Sequence, residues 1–397
     1  MKNKSVNRRD FLRLSATAGA GAFILPNTAA AAIQKTTATT NSTSGFPVRT
    51  LGRTGIQVPI ISMGVMRADN PNVVRAAYNS GITFFDTAHG YQNGRNEEML
   101  GNFFKGKPRD SFRIATKVKF DQPLKDNFET EFADMFDISL KRLQMDYVDI
   151  LYAHDMKSPE IVKDGRVIEA LKKLKAEGKI RHAGFSMHNN NAAQIDAAIE
   201  AGIYDVILLS YNFKLEKLKE LDEAIARGAE AGIGFVAMKT MTGGSEDAEG
   251  KTQINGQACL RWVWSNEHIA TAIPGFTSFD LLEDCLAAAQ NPQLTPNDKE
   301  YLAQLCGQEL LYCQQCGKCQ DQCPENLPIP DIMRAYMYAY GYKNAGLSKE
   351  TLAELNLAKD VCKKCDTCKV NCISGFDVAG KIAAITPVMQ VSDVFLS

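Results

Sequence analysis

From about residue 60 the chain alternates short β-branched or aromatic runs with longer stretches whose apolar positions recur at helical spacing. The short runs fall at 61–65, 83–87, 112–118, 147–154, 180–186, 206–212, 234–239 and 271–274. Between them lie amphipathic patterns such as 128–143, 167–177 and 215–231. In the last, Leu218, Leu221, Ile225 and Ala229 share one face while Lys, Glu and Asp fill the other. Eight strand–helix pairs predict a closed parallel (β/α)8 TIM barrel with its chemistry at the C-terminal strand ends. A doubly wound sheet would want a glycine-rich first turn, which the pattern lacks.

The chain has 397 residues, enough for a barrel of about 250 plus a leader and a small second domain. Lys and Arg number 45 against 46 Asp and Glu, so nothing in the charge points to nucleic acid or an acidic membrane surface. The first residues read as an address: Lys2, Lys4, Arg8 and Arg9, then a mildly apolar stretch 11–25, then alanines 29–32. Asn7-Arg8-Arg9-Asp10-Phe11-Leu12 resembles a twin-arginine export signal, which implies a signal peptide over 1–32 and a periplasmic or otherwise exported protein. The alternative is an uncleaved N-terminal anchor, although a spanning helix needs about 20 apolar residues. No stable membrane span is expected in the mature protein. Residues 33–46 read as a flexible polar linker, 47–295 as the barrel and 296–397 as an iron–sulfur domain.

Residues 48–64 form a Val-Arg-Thr-Leu-Gly-Arg-Thr-Gly opening and a first strand. Phe85-Asp86-Thr87-Ala88-His89-Gly90-Tyr91, Ala115-Thr116-Lys117-Val118 and Leu151-Tyr152-Ala153-His154 follow. Together these segments resemble the aldo-keto reductases over residues 48–290. The resemblance implies a catalytic tetrad of Asp86, Tyr91, Lys117 and His154. Its chemistry can be argued independently. Reducing a carbonyl by hydride needs a proton at the developing alkoxide, and a free Tyr with a pKa near 10 is a weak donor. A buried Lys beside the phenol would lower that pKa, an Asp would orient the Lys, and a His would fix the substrate oxygen. Each residue taken alone has an ordinary reading as packing, cap or surface charge. His89 and His188 are expected to line the mouth rather than act.

The family holds nicotinamide with a Ser-Asn pair after the fifth strand, a Gln or Asn after the sixth and an aromatic after the seventh. Here Ser186 is kept without the Asn, Asn212 follows the sixth strand, and Met238 with Lys239 follows the seventh. Gly275, Thr277 and Ser278 could offer backbone donors at a helix start. Residues 273–291 hold no Lys or Arg for a 2′-phosphate, which favours NAD(H) over NADP(H) if nicotinamide is bound.

Of 11 cysteines, eight follow residue 312 in two tight groups. Cys313, Cys316, Cys319 and Cys323 repeat as Cys362, Cys365, Cys368 and Cys372, with the first cysteines 49 residues apart. Two-residue gaps let three thiolates converge on one cubane, while the fourth cysteine reaches the other cluster. Two [4Fe–4S] clusters follow, one on Cys313, Cys316, Cys319 and Cys372, the other on Cys362, Cys365, Cys368 and Cys323. Zinc and short-range disulfides are the competing readings. Ile373 replaces the proline that follows Cys323, which leaves the completeness of the second cluster open. The layout resembles an alpha-helical ferredoxin, with Met333, Tyr336, Met337 and Tyr340 as packing.

The implied function is an exported oxidoreductase interconverting a carbonyl and an alcohol, on a sugar-like substrate, with a redox partner protein. The alternative is an electron-transfer or redox-sensing module on a degenerate barrel. A cytoplasmic reductase is a third reading.

Overall fold

The computed structural model describes residues 45–188, 191–242, 254–306, 312–358, 361–362, 365 and 368–396. The expected signal peptide and nearly all of the linker lie outside these residues. Phe46, at the end of the expected linker, is buried in the main core.

A hairpin of β1 (Val48–Thr50) and β2 (Gln57–Pro59) precedes eight parallel strands arranged in chain order. These are β3 (Met63–Gly64), β4 (Phe84–Asp86), β5 (Arg113–Lys119), β6 (Val148–His154), β7 (Ile180–Met187), β8 (Val206–Ser210), β9 (Gly234–Met238) and β10 (Ile269–Ala272). Parallel bridges Ile61–Ala272 and Gly64–Gly275 bring the two ends of the sheet together. All eight expected strands are present. The largest boundary shift is at β10, where the Gly-poor run around Ile269 joins the sheet beside β9.

Strand parity sorts the side chains into two layers. Phe84, Ala115, Ile150, Tyr152, Val206, Leu208 and Val236 fill the barrel interior, and Leu51 and Val58 of the hairpin region plug its base. Phe85, Ile114, Val118, Leu151 and Ala153 face outward into the layer shared with the helices. Each fully buried Phe or Leu side chain contributes about 1.5–3 kcal/mol. The same parity places Asp86 two residues beyond Phe84, Lys117 beyond Ala115 and His154 beyond Tyr152. All three therefore share the interior face at its C-terminal end. Gly184 is required opposite Tyr152: a Cβ there would meet the Val206 carbonyl at 2.4 Å and the Tyr152 ring at 2.7 Å.

The helix Pro296–Cys306 packs on the barrel, with Leu302 and Leu305 against Phe213, Ala258 and Cys259. Beyond it, helices Ile329–Tyr340, Ala345–Ala353 and Val378–Ile385 enclose a second core around Ile329, Ile332, Leu352, Val378 and Ile382. This mostly helical region carries the cysteine repeats. Among the described residues no helix is long and apolar enough to cross a membrane.

Candidate active site and cluster domain

The strand ends bring the four expected catalytic residues together. Lys117 sits at the centre, 1% exposed, and forms an ion pair with Asp86. Its Nζ also donates to the Thr87 carbonyl at 2.6 Å and approaches the Tyr91 hydroxyl at 3.4 Å. The Tyr91 ring lies edge-on to His154 with centroids 6.0 Å apart. Burial raises the Asp86 carboxyl and lowers the Lys117 ammonium, and each charge opposes the shift of the other. The second oxygen of Asp86 has no hydrogen-bond partner among the described residues.

One expectation is corrected here. The Tyr91 phenol is not lowered by Lys117 but held well above the ordinary range. Burial is the main cause, followed by Asp86, Tyr342 and Asp155, with Arg334 in opposition. The ammonium of Lys117 is engaged by Asp86 and the Thr87 carbonyl, so little of its field is left for the phenol. Burial also pushes His154 well below the usual imidazole range, and Lys117 adds to the effect. Near neutrality the arrangement presents a protonated phenol and a neutral imidazole side by side. It can donate a proton to an oxygen and hydrogen-bond the same atom.

These groups open on a cavity of about 370 Å³. Ser186, Met238, Lys239 and Gly275 line it, while Asn212, Thr277 and Ser278 do not. Asn212 is buried and its amide is fully engaged: Nδ2 donates to the Lys239 carbonyl at 3.2 Å and to Gln314 Oε1 at 3.0 Å, and Oδ1 accepts from Lys214 N–H at 3.0 Å. Ser278 caps its helix by accepting from Leu281 N–H. Lys239 faces the cavity with its ammonium lowered to about 7, by burial first and then by Arg334. His89 and His188 both line the cavity, as expected. His188 is held by Ser210 at 3.2 Å, and His89 by Ser139 at 3.1 Å.

Sequence reasoning missed the residues that close the mouth. Arg334, Tyr338, Tyr342, Leu347 and Glu354 come from the helical region and line the same cavity. Arg334 is 6% exposed and contacts Asp155 Oδ2 at 3.2 Å and Asp331 Oδ1 at 2.7 Å. Lys119 pairs with Glu354 across the mouth, and Asn93 donates to Glu350 at 3.0 Å. An Arg inside the apolar pattern of 329–340 was the available signal, since buried arginines need a carboxylate partner.

None of the eight repeat cysteines is in a disulfide. Burial raises Cys313 to about 12, and Cys316, Cys319 and Cys372 push it further in that direction. Cys362 is raised by burial and then by Cys368, Cys323 and Cys365. Cys319 is raised by burial and then by Cys316, Cys372 and Cys323. Among the described residues no three such side chains stand close enough to hold a metal ion, so the crossed sets rest on the cysteine spacing.

Residues 61–257 match the aldo/keto reductase family and residues 287–377 a 4Fe-4S dicluster domain. The chain is 27% identical over 298 residues to an L-galactose dehydrogenase of Arabidopsis thaliana, covering 65% of this chain and 92% of that protein. It is 25% identical to a D-threo-aldose 1-dehydrogenase of a Pseudomonas species, covering 48% of this chain and 68% of the relative. Among solved structures, an aldo-keto reductase from Bacillus halodurans superposes with a TM-score of 0.54 at 23% identity. That match covers 66% of this chain and 96% of the other. The barrel, its strand-end constellation and these matches agree: the chain is an oxidoreductase of the aldo/keto reductase family that carries a C-terminal 4Fe-4S dicluster domain.

Proposed function

We propose that this chain is exported through the twin-arginine pathway and interconverts a carbonyl and an alcohol on a sugar-like substrate by hydride transfer. Its two clusters exchange electrons with a partner protein. The observation that carries the reading is Lys117, held by Asp86 and the Thr87 carbonyl, within 3.4 Å of the Tyr91 hydroxyl on a cavity shared with His154. The sugar class is supported by the two relatives named as acting on aldoses.

In the reductive direction Tyr91 gives its proton to the substrate oxygen, and the neutral His154 hydrogen-bonds that oxygen and fixes its approach. Lys117, oriented by Asp86, holds the phenol in place through its contact with the hydroxyl. In the oxidative direction the Tyr91 phenolate takes the proton back. Ser186, Met238, Lys239 and Gly275 are available to a nicotinamide along the cavity, and that group, when bound, supplies or accepts the hydride. NAD(H) is favoured over NADP(H) by the lack of Lys and Arg in 273–291. Cys313, Cys316, Cys319 and Cys372 would hold one cluster, and Cys362, Cys365, Cys368 and Cys323 the other. Each cluster carries one electron.

A second reading is favoured by the engagement of Asn212 by Gln314, a residue of the first cysteine motif. That contact removes one expected nicotinamide partner and suits a barrel that binds without turnover while the clusters carry electrons.

The test is anaerobic purification of the exported protein, with iron analysis, EPR, identification of released nucleotide and assay of aldose oxidation and aldehyde reduction. About eight iron per chain with retained nicotinamide is expected. A Tyr91→Phe variant should lose about 100-fold or more in kcat. Iron without any organic cofactor, and a Tyr91→Phe variant matching wild type on every carbonyl, would leave only the electron carrier.

A further inference from the structure

We propose that the iron–sulfur domain builds the substrate-recognition wall of the barrel's cavity, with Tyr338 and Tyr342 offering their hydroxyls to the hydroxyl groups of a neutral polyhydroxylated substrate. This deepens the carbonyl–alcohol reading above and rests on it.

The wall is fixed in place from both sides. Helix Ile329–Tyr340 is anchored to the end of β6 by the buried pair of Arg334 and Asp155. Tyr338 stacks on Tyr342 with ring centroids 5.4 Å apart and planes inclined by 29°. Arg67, from the loop after β3, lies over the Tyr342 ring. Its guanidinium is 4.5 Å from the Tyr342 centroid and donates to the Tyr342 carbonyl at 2.9 Å. The two rings are therefore clamped between the domain that carries them and the barrel that needs them.

Both tyrosines line the cavity, and neither hydroxyl has a hydrogen-bond partner among the described residues. Neither hydroxyl is among the buried unsatisfied atoms, so both are open to the cavity. Two left open on one cavity are matched by a ligand rich in donors and acceptors. They are also near the reacting group: the Tyr91 phenol feels the charge of Tyr342, and Tyr338 feels that of Tyr91. Lys117, Lys119 and Arg334 each carry an acidic partner, in Asp86, Glu354 and Asp155, while Arg67 and Lys239 line the cavity without an ion pair among the described residues. The two rings themselves present neutral hydroxyls and aromatic faces, which suit the hydroxyl groups of a sugar.

The experiment uses the full-length protein with its clusters, under anaerobic conditions, and measures binding by calorimetry. The probes are L-galactose, D-gluconate as its acidic counterpart, and 4-nitrobenzaldehyde as a carbonyl without hydroxyls. Tyr338→Phe and Tyr342→Phe should each weaken L-galactose about five- to tenfold. Binding of 4-nitrobenzaldehyde should move less than about twofold, and iron content and EPR signals should match wild type. The wall is refuted by unchanged aldose affinity in both variants, by equal losses for both carbonyls, by D-gluconate binding tighter than L-galactose, or by wild type binding no aldose. Tyr91→Phe separates the two claims. It should still bind L-galactose and turn over neither carbonyl. Normal turnover in that variant would remove the reaction assignment while leaving the wall intact.

Discussion

Arg334, on the first helix after the leading cysteine motif, reaches Asp155 at the end of β6 at 3.2 Å, with both side chains almost fully buried. Asp155 follows His154 directly, so one ion pair joins the iron–sulfur domain to the strand that carries His154. Asp155 takes a left-handed backbone conformation, φ 58°, and its N–H donates to Ser186 Oγ at 2.9 Å. The carboxylate is held well below its usual range; burial opposes this, and Arg334, His188 and Lys157 overcome it.

Replacing Arg334 with Met should therefore leave a buried carboxylate with only Lys157 and His188 nearby. The expected cost is about 3 kcal/mol, read as a lower Tm and faster proteolysis of the C-terminal region. Adding Asp155→Asn should recover part of that loss, because the stranded charge goes with it. A double variant no more stable than Arg334→Met would show that the pair does not hold the two regions together.

The corrected Tyr91 and His154 shifts predict the pH profile. With the phenol raised well above 10 and the imidazole pushed well below 6.5, neither changes protonation between about pH 7 and 9. Carbonyl reduction should show no inflection from either group in that window, whereas alcohol oxidation, which needs the phenolate, should rise with pH. A bell-shaped reductive profile that Tyr91→Phe abolishes would contradict this geometry.

At the opposite end of the barrel, Asp205 binds Arg53 at 3.0 Å, Lys175 at 2.7 Å and the Ala183 N–H at 3.1 Å. These partners overcome the opposing effect of burial and hold its carboxyl below the usual carboxylate range; the largest contribution is the hydrogen bond with His182, then Lys175. A depressed folded pKa means stability that is complete above the unfolded value near 3.9 and fades as pH falls through the folded one. Asp205→Asn should be less stable than wild type by a constant margin between pH 6 and 8, and the gap should close below about pH 4. Denaturant unfolding at each pH checks it. A gap that widens in acid would reverse the sign and reject the explanation.

The crossed cysteine sets expected from the spacing make a pairing prediction. Cys372→Ser should disturb the same cluster as Cys313→Ser, and Cys323→Ser the same cluster as Cys362→Ser, each leaving about four iron per chain. EPR of the single variants should sort into those two groups. Sorting by sequence repeat, with Cys323 grouped beside Cys313, would overturn the crossed arrangement.

Much of this was legible in the chain. The strand pattern and its period of two placed Asp86, Lys117 and His154 on one face, because alternation along a buried strand is local geometry. The spacing of the cysteines located the iron–sulfur region, since two-residue gaps restrict which thiols can converge. The protonation state of Tyr91 was not legible. It depends on burial and on the charges of Asp86, Tyr342, Asp155 and Arg334, and Lys117 turned out to be committed elsewhere. The availability of Asn212 was hidden in the same way, because Gln314 lies 102 residues away. What the sequence by itself determined is the barrel, its strand-end face and the iron–sulfur region, all products of local periodicity. Only the tertiary structure decided that the iron–sulfur domain closes the barrel's mouth. Arg334, Tyr338 and Tyr342 read locally as an ordinary helix and its end, and their meaning comes from a surface far away in the chain.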